Sequence, residues 1–405
     1  MSGSISRIMA KAYKNVLSNP REAKFAFRMQ QLFAKSEKRR KKVKEQEGID
    51  VPPFLICSIS TICNLHCKGC YARSNGIVSP LPTSPLGEEH SAAALSVFSF
   101  GEEHSAADLG EEHSEAGISI IPPGGDKRGA SLSPDQWKAI FEESASLGIN
   151  FALLAGGEPM MRKDILEAVA EVKDMIFPIF TNGTLIGPSY IEFLKKHLNM
   201  IPVISIEGME HSTDERRGKG MYKRAMQSVE MLHKEDLFFG TSITVTTENF
   251  SLVTSDGFVD NLRDLGCKLI IYVEYVPTEA GTGYLAFGEA DLTRMEAVQA
   301  HQRERYEDVI IISFPGDEQH MGGCLAAGRG FFHIGPDGSA EPCPFSPFSD
   351  SSVVELGVKG ALSSPLFRRL RDVHLVGGEH SGGCALYEHR EEVEAMLKES
   401  QKQAI

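Results

Sequence analysis

Residues 63–71 read Cys-Asn-Leu-His-Cys-Lys-Gly-Cys-Tyr, and they follow the apolar run at 53–59. The spacing of Cys63, Cys67 and Cys70 lets a loop that leaves a strand place three thiolates on three irons of a cubane cluster. The fourth iron then has no protein ligand. A structural zinc site would need another Cys or His close by, and His66 is bracketed too tightly for a zinc-finger pattern. The pattern therefore favours an iron–sulfur cluster with one open iron over structural zinc.

This cysteine loop after a first strand resembles the hallmark of the radical S-adenosylmethionine (SAM) superfamily. Gly69 stands where that family often has an aromatic residue, and Tyr71 follows the third cysteine instead. The resemblance implies that the open iron of a [4Fe–4S] cluster binds the amino and carboxylate groups of SAM. It further implies reductive cleavage of SAM to a 5′-deoxyadenosyl radical, which abstracts hydrogen from a substrate.

Apolar runs alternate with helical patterns from residue 51 onward. Six strands, each apolar enough to be buried on both faces, are predicted at 53–59, 150–155, 175–181, 201–206, 239–245 and 268–276. Helices are predicted between them at 133–147, 162–174, 186–198, 217–233 and 256–266. The alternation predicts a parallel α/β array, which the resemblance makes a partial (β/α)6 TIM-like barrel. Chemistry in such arrays collects at the carboxyl ends of the strands.

The second predicted strand ends in Gly156-Gly157-Glu158. Two glycines let the backbone approach a ligand closely, and a carboxylate beside them can receive an ammonium group. An ordinary turn has the same sequence, but the position at a strand end matches the GGE motif of the radical SAM family. That resemblance implies that these residues bind the amino group of SAM, with Glu158 as the charged partner.

Two further strand ends bring polar residues toward the same edge. Thr181 and Asn182 end the third strand, where SAM contacts and a plain Asn-Gly turn are both open readings. After the fourth strand, Ser205 and Glu207 precede Arg217, with Glu207 in place of the family's usual Asp. The resemblance implies SAM contacts for these three. The run at 268–276 is expected to line the adenine side, where Glu274 and Tyr275 alternate faces so that only one points inward.

Three cysteines lie near the C-terminus, with thirteen residues, Gly338 and four more residues separating the first two. The segment between these two predicts a hairpin with a Pro-Asp-Gly turn. The pattern Cys324, Cys343 and Cys384 resembles the twitch form of the SPASM domain and implies one auxiliary [4Fe–4S] cluster. A zinc site with three cysteines and one histidine is the alternative. The fourth ligand stays open among substrate, water, His320, Asp317, His380, Cys57 and Cys267, although both of these last cysteines are predicted to be buried apolar residues.

The formal net charge is −13, but residues 1–45 alone hold about +10. Apolar residues at helical spacing within this segment predict a helical arm that packs on the barrel with a solvated basic end. A docking surface for an anionic partner or a membrane is the alternative. Nucleic-acid binding is disfavoured, because no recognition motif is present and the rest of the chain is acidic.

The region between 76 and 130 repeats Gly-Glu-Glu-His-Ser-Ala-Ala at 87–93 and 101–107, with a close variant at 110–116. The unequal intervals exclude a solenoid. Its composition cannot support much core, so we predict a mobile insertion on the mouth side of the barrel. Metal binding by His90, His104 and His113 is the alternative, since each follows two carboxylates.

A chain of 405 residues is long enough for two domains. The prediction is a basic arm at 1–50, the barrel at 51–288, and a small α+β auxiliary-cluster domain at 289–405. Because no signal segment or membrane-spanning run is apparent, a reducing cytoplasm is expected, where clustered cysteines bind metals.

The sequence thus predicts a radical SAM enzyme that receives electrons from a ferredoxin or flavodoxin. Its substrate is predicted to be either a peptide or protein, or a small metabolite. The alternative is a non-catalytic iron–sulfur protein that serves electron transfer or structure.

Overall fold

The computed structural model describes residues 20–80, 131–373, 375–377 and 384–403. The first 19 residues, His380 and residues 81–130 lie outside these ranges. The predictions for the repeats and their histidines therefore fall outside the described part of the chain.

The strands form one large sheet and one small one. Their bounds are β1 Phe54–Ser60, β2 Ile62–Cys63, β3 Ser79–Pro80, β4 Phe151–Gly156, β5 Phe177–Thr181, β6 Met200–Ile206, β7 Gly240–Val245, β8 Leu269–Glu274, β9 Ile310–Phe314, β10 His333–Ile334 and β11 Ala340–Glu341. The large sheet has the order β11-β10-β1-β4-β5-β6-β7-β8-β9, and β2 pairs with β3. All neighbours from β10 to β9 are parallel. The six predicted strands are confirmed, and the open order makes the sheet a partial barrel.

Helices separate most of these strands. Their bounds are α1 Pro20–Glu47, α2 Tyr71–Ser74, α3 Pro134–Leu147, α4 Lys163–Ala170, α5 Pro188–Lys196, α6 Glu210–Arg217, α7 Met221–Lys234, α8 Phe250–Val253, α9 Asp256–Asp264, α10 Glu289–Arg305, α11 Val353–Ala361, α12 Pro365–Asp372, α13 Ala385–Glu388 and α14 Arg390–Gln403. Ser133 caps α3 as predicted, because its hydroxyl accepts the Gln136 amide. The helix predicted at 217–233 is confirmed as α7, which begins at Met221, because Gly218 and Gly220 have positive φ angles of 110° and 80° and separate it from α6.

The two faces of the sheet pack against different partners. Leu269 and Ile271 of β8 pack with Met29 and Leu32 of α1, whereas the alternating residues of β8 join the main core with the other helices. The described part of the basic arm is therefore a helix docked on the sheet. Lys35 Nζ reaches Asp174 at 2.6 Å, so part of its charge is used in that docking.

The sheet continues beyond the predicted barrel. Helix α10 leads into β9, which extends the parallel array and was not predicted. On the other edge, the predicted hairpin is confirmed as β10 and β11, and β10 adds to β1. The predicted boundary at 288 thus falls between neighbouring strands of one sheet. Among the described helices, none is long and apolar enough to cross a membrane.

Candidate active site at the carboxyl ends of the strands

The three cysteines of the first loop lie together after β1. Cys63 ends β2 and Cys70 directly precedes α2, with Cys67 between them, and all three are half-buried. Burial raises the pKa of the Cys63 thiol to about 12, and the nearby Cys67 and Cys70 add to this shift. Burial also raises the pKa of Cys67, against a lowering by Arg217 and Arg216. Three mutually close thiols beside two cations suit a cluster that binds thiolates.

Polar contacts fix the cysteine loop to two neighbouring strand ends. The Asn64 amide nitrogen donates to the Thr184 hydroxyl at 2.8 Å, and the Asn182 amide nitrogen donates to the Asn64 oxygen at 2.9 Å. On the other side, the Lys68 amide donates to the Arg216 carbonyl at 2.9 Å, and Arg216 Nε donates back to the Lys68 carbonyl. The loop is therefore held from both sides, which orients its thiols.

Gly69 is explained by its close approach to Tyr275. Its φ is +63°, and a Cβ at this position would lie 2.5 Å from the Tyr275 hydroxyl. The Gly69 amide donates to the Glu279 carboxylate at 2.8 Å. An aromatic residue would thus clash here. Of the two residues expected near the adenine side, Tyr275 faces this loop, while Glu274 accepts from Ser313 of β9.

The turn at Gly156-Gly157-Glu158 packs directly against the backbone at the start of the cysteine loop. A Cβ at Gly157 would lie 2.1 Å from the Ile62 carbonyl oxygen. The Gly157 amide donates to the Ser60 carbonyl at 2.7 Å, and the Glu158 amide donates to the Ile62 carbonyl at 2.8 Å. This position admits only glycine, because the two backbones are already in hydrogen-bonding contact.

We expect Gly157→Ala to lower SAM affinity at least tenfold, because the added methyl must push the turn away from Ile62. A displacement near 1 Å at a positioned ligand is enough for losses on the order of 100-fold. Equilibrium binding of SAM to the anaerobically reconstituted protein measures the effect. Gly187→Ala is the matched control, since a Cβ there meets nothing within 4 Å. Equal affinity in the two variants would contradict this prediction.

Glu158 is 1% exposed and its carboxylate is surrounded by protein donors. It accepts from the Thr181 hydroxyl at 2.7 Å, the Asn182 amide at 2.8 Å and the Met160 amide at 2.9 Å. Burial raises the pKa of Glu158, although these bonds and Arg217 oppose the shift. The structure therefore joins three of the predicted SAM residues through one carboxylate, which ties the turn after β4 to the end of β5.

Glu207, at the end of β6, is 2% exposed and pairs with two arginines. Its Oε1 accepts from Arg216 Nη1 at 2.6 Å and from Arg217 Nε at 2.8 Å, while Oε2 is buried with no hydrogen-bond partner. Glu207, Cys67 and Cys70 all favour the charged form of Arg217 and raise its pKa, against the effect of burial. Ser205 lies on the same strand, with its hydroxyl 3.0 Å from Ser242. This end of the sheet thus places cations beside the thiols.

The C-terminal cysteines meet in a second place. Cys324, Cys343 and Cys384 line one cavity of about 270 Å³, a volume that includes open solvent. Burial raises the pKa of Cys324 and of Cys343, and each pKa is raised further by the neighbouring thiols. Across the described ranges, no three His, Cys, Asp or Glu side chains are arranged to hold a single metal ion. A cubane differs in this respect, because its ligands bind separate irons.

The side chains considered as a fourth ligand do not line this cavity in the described part of the chain. Asp317 is bound by Arg303 at 2.7 Å, and His320 is exposed with its Nε2 3.4 Å from Glu296. Cys57 and Cys267 are buried within the core, as predicted. The cavity does contain Glu318, which sequence reasoning missed. Recognising β9 would have pointed to it, because Glu318 lies just beyond that strand's carboxyl end.

A polar chain and an aromatic contact connect the two cysteine sites. The Tyr71 ring packs edge-on against Phe345, with centroids 5.4 Å apart. The Tyr71 hydroxyl lies within hydrogen-bonding reach of Ser58. Ser58 in turn is 2.8 Å from His333 Nε2, and His333 Nδ1 is 2.6 Å from Glu341. Tyr71, next to Cys70, and Phe345, two residues after Cys343, are therefore in direct contact.

Glu274 lies near the second site and is 4% exposed. Burial, together with the nearby Asp317 charge, raises its pKa from 4.5 to about 7. Glu318 is the other carboxylate whose charge is coupled to Glu274. A carboxyl that is harder to ionise when folded stabilises the fold below about pH 4.5, and this stability is lost as the pH rises toward 7.

We expect Glu274→Gln to raise the thermal midpoint at pH 8 and to leave it nearly unchanged at pH 5. The amide cannot ionise, so the loss of about 3 kcal/mol on going from pH 4.5 to 7 is removed. Anaerobic thermal unfolding of both proteins at the two pH values tests this. Glu296→Gln is the control, because that carboxylate is exposed. An equal shift at both pH values would contradict the titration argument.

A sequence model of the radical SAM superfamily matches residues 57–252. An AdoMet-dependent heme synthase of Methanosarcina barkeri is 27% identical over 287 residues, covering 64% of this chain and 80% of that protein. A PqqA peptide cyclase of Granulibacter bethesdensis is 23% identical over 244 residues, covering 54% of this chain and 61% of that one. Streptococcus suis SuiB bound to S-adenosylmethionine has a TM-score of 0.54 at 18% identity, covering 81% of this chain and 66% of that chain. This last likeness shows the fold alone.

Proposed function

The chain is a radical SAM enzyme, and on that premise we propose that it abstracts hydrogen from a substrate bound between its two cysteine sites. The observation that supports this most is the meeting of Cys63, Cys67 and Cys70 with the Gly-Gly-Glu turn and Arg217 at one edge of the sheet. An enzyme is therefore preferred to the non-catalytic alternative. The proposal divides the chain as the sequence predicts, into an arm, a barrel and an auxiliary-cluster domain.

Cys63, Cys67 and Cys70 would hold the SAM-cleaving cluster. When bound, the [4Fe–4S] cluster supplies the electron that cleaves the sulfonium of SAM. Arg216 and Arg217 place positive charge beside the Cys67 thiol and favour its ionised form. The backbone contacts at Lys68 and Gly69 fix the loop, so the thiols are preorganised before SAM arrives.

The turn at 156–158 would bind the amino group of SAM. Glu158 is already acceptor to three protein donors, so it acts first by shaping this turn, and its negative charge favours an ammonium group nearby. Thr181 and Asn182 hold that carboxylate in place. Ser205, Glu207 and Arg217 would face the rest of SAM from the end of β6. The unpartnered Oε2 of Glu207 is available to accept a hydrogen bond there.

Two substrate classes remain within the proposal. The heme synthase relative favours a small molecule of the iron-porphyrin kind, and its match covers more of this chain than the peptide cyclase match does. The cyclase relatives and the SkfB maturation protein of Bacillus subtilis favour a peptide. The auxiliary cluster, held by Cys324, Cys343 and Cys384, would bind substrate or take up an electron. A ferredoxin or flavodoxin would supply the reducing electron.

The test is 5′-deoxyadenosine formation by the anaerobically reconstituted enzyme with dithionite and SAM. Fe-coproporphyrin III, the compound in the name of a synthase of Methanosarcina barkeri that is 35% identical over 121 residues, is added as the small molecule. A short precursor peptide is added separately, and each product mixture is analysed by mass spectrometry. We expect one of them to stimulate cleavage about tenfold and to be consumed. No 5′-deoxyadenosine above the level of Cys63→Ala, with either compound or without, would overturn the proposed function.

A further inference from the structure

Glu318 brings a carboxylate into the cavity that the C-terminal cysteines share. We propose that Glu318 is the fourth protein ligand of the auxiliary cluster, so that three thiolates and one carboxylate close this site. The inference rests on the proposed function in one respect, since it takes Cys324, Cys343 and Cys384 to hold a [4Fe–4S] cluster.

The lining of the cavity leaves only one choice for a fourth donor side chain within the described residues. Besides the three thiols and Glu318, the cavity is lined by six apolar residues, namely Phe314, Pro315, Phe331, Phe345, Ala385 and Leu386. None of these six has a side-chain atom that binds iron. Three soft donors and one oxygen donor enclosed by apolar side chains form a shielded iron–sulfur site.

The Glu318 carboxylate has an unused oxygen. The side chain is 4% exposed, and its Oε1 is buried with no hydrogen-bond partner. The carboxylate also lies within hydrogen-bonding reach of the Cys324 thiol and the Leu325 amide. A buried carboxylate oxygen without a partner costs free energy, and bound iron offsets that cost. The orphaned oxygen therefore points to a metal at this place.

The neighbouring acidic groups, Asp317 and Glu274, do not line the cavity. Asp317 accepts two bonds from Arg303 at 2.7 Å and one from the Ser313 amide at 2.9 Å. Glu274 Oε1 accepts from the Ser313 hydroxyl at 3.1 Å. Its Oε2 is also buried without a hydrogen-bond partner, but Glu274 does not line the cavity. Glu318 follows Asp317 in that turn, and it is the acidic side chain directed to the thiols.

A fourth protein ligand decides between the two roles of the auxiliary cluster. A cluster with an open iron can bind substrate directly, whereas one with four protein ligands is saturated. With Glu318 as the fourth ligand, the auxiliary cluster has no open iron for substrate, and its role is electron transfer. The contact between Tyr71 and Phe345 supplies a short packed path toward the other cysteine loop.

The experiment uses the full chain carrying Cys63→Ala, Cys67→Ala and Cys70→Ala, so that only the auxiliary cluster remains. Into this parent we introduce Glu318→Ala, Glu318→Cys or, as the matched control, Glu296→Gln. Each protein is reconstituted anaerobically, analysed for iron and sulfide, and examined by electron paramagnetic resonance with and without imidazole as a probe. We expect about four irons in the parent, in the control and in Glu318→Cys, and about three in Glu318→Ala.

The spectra add a readout that a structural role would not move. Glu318→Ala is expected to show a changed signal, that of a cluster that has lost one iron. Imidazole is expected to leave the parent unchanged, because all four of its irons have protein ligands. A parent signal that changes with imidazole would show an open iron and overturn the inference. Glu318→Cys should restore four irons with a shifted signal, which shows that a ligand, and not the fold, was lost. Four irons and an unchanged signal in Glu318→Ala would overturn the inference while leaving the cluster established. A parent without iron would overturn the auxiliary cluster itself.

Discussion

Replacing Cys63, Cys67 and Cys70 together by alanine is expected to lower the iron content from about eight to about four per chain and to abolish 5′-deoxyadenosine formation. Cys67 and Cys70 are close enough to Cys63 to add to the rise that burial causes in its pKa, and Cys67 lies beside the cations of Arg216 and Arg217. Removing them leaves the first cluster without protein ligands. Iron and labile sulfide after anaerobic reconstitution, followed by the SAM cleavage assay, give both results.

Cys267→Ala is the matched control for this variant. Cys267 belongs to neither cysteine site. It is buried in the core, and its thiol contacts Thr241 and the Leu269 carbonyl. We expect it to keep about eight irons and to cleave SAM. A fall from about four irons to none in the triple variant would mean that the C-terminal cysteines hold no iron. An unchanged iron content would refute the assignment of the first loop.

The elements that the sequence predicted well are those decided by local patterns. Six apolar strands and the cysteine loop are short continuous signals, and Ser133 with Pro134 marks a helix start by its own chemistry. The helix expected at 217–233 begins at Met221, because Gly218 and Gly220 precede it with positive φ angles. Strand β9 was missed because the predicted array ended at six strands.

The sequence predicted at which strand end each site residue lies, but it did not predict the contacts between residues from different strand ends. Thr181 and Asn182 donate hydrogen bonds to the Glu158 carboxylate because two loops that are 23 residues apart in the sequence meet in the fold. No local sequence pattern predicts such a contact. The contact of Gly69 with Tyr275 joins two positions far apart in the chain. Glu318 escaped notice because its significance comes from a cavity formed by three distant cysteines. Long-range packing, which has no periodic signature, decides such contacts.

The buried chain through His333 is the clearest case of such a long-range contact. Ser58 and His333 are 275 positions apart, yet their side chains lie 2.8 Å from each other. His333 and Glu341 are both 0% exposed, and they join β10 to β11 through their side chains as well as their backbones. Because β10 also pairs with β1, the C-terminal hairpin is fixed to the strand that leads into the first cysteine loop.

We therefore expect His333→Ala to destabilise the protein by about 3 kcal/mol and to lower its thermal midpoint by about 6 °C or more. The change leaves the Ser58 hydroxyl and a Glu341 oxygen buried without the imidazole, and it opens a cavity beside β1. Anaerobic thermal unfolding of the reconstituted enzyme measures the midpoint. His301→Ala is the matched control, because His301 also faces a carboxylate, that of Asp256 at 3.2 Å, but both side chains are exposed.

An exposed pair of this kind contributes about 1 kcal/mol at most, so the control should shift the midpoint only slightly. The two variants remove the same side chain and differ in burial, so the difference between their midpoints reports the buried chain. We also expect His333→Ala to lose iron from both clusters faster during dilution, because β10 connects the hairpin near Cys343 with the strand that precedes Cys63. Equal midpoints in the two variants would show that the hairpin is held by backbone pairing alone. The packing of Tyr71 against Phe345 would then be the side-chain contact that connects the two cysteine sites.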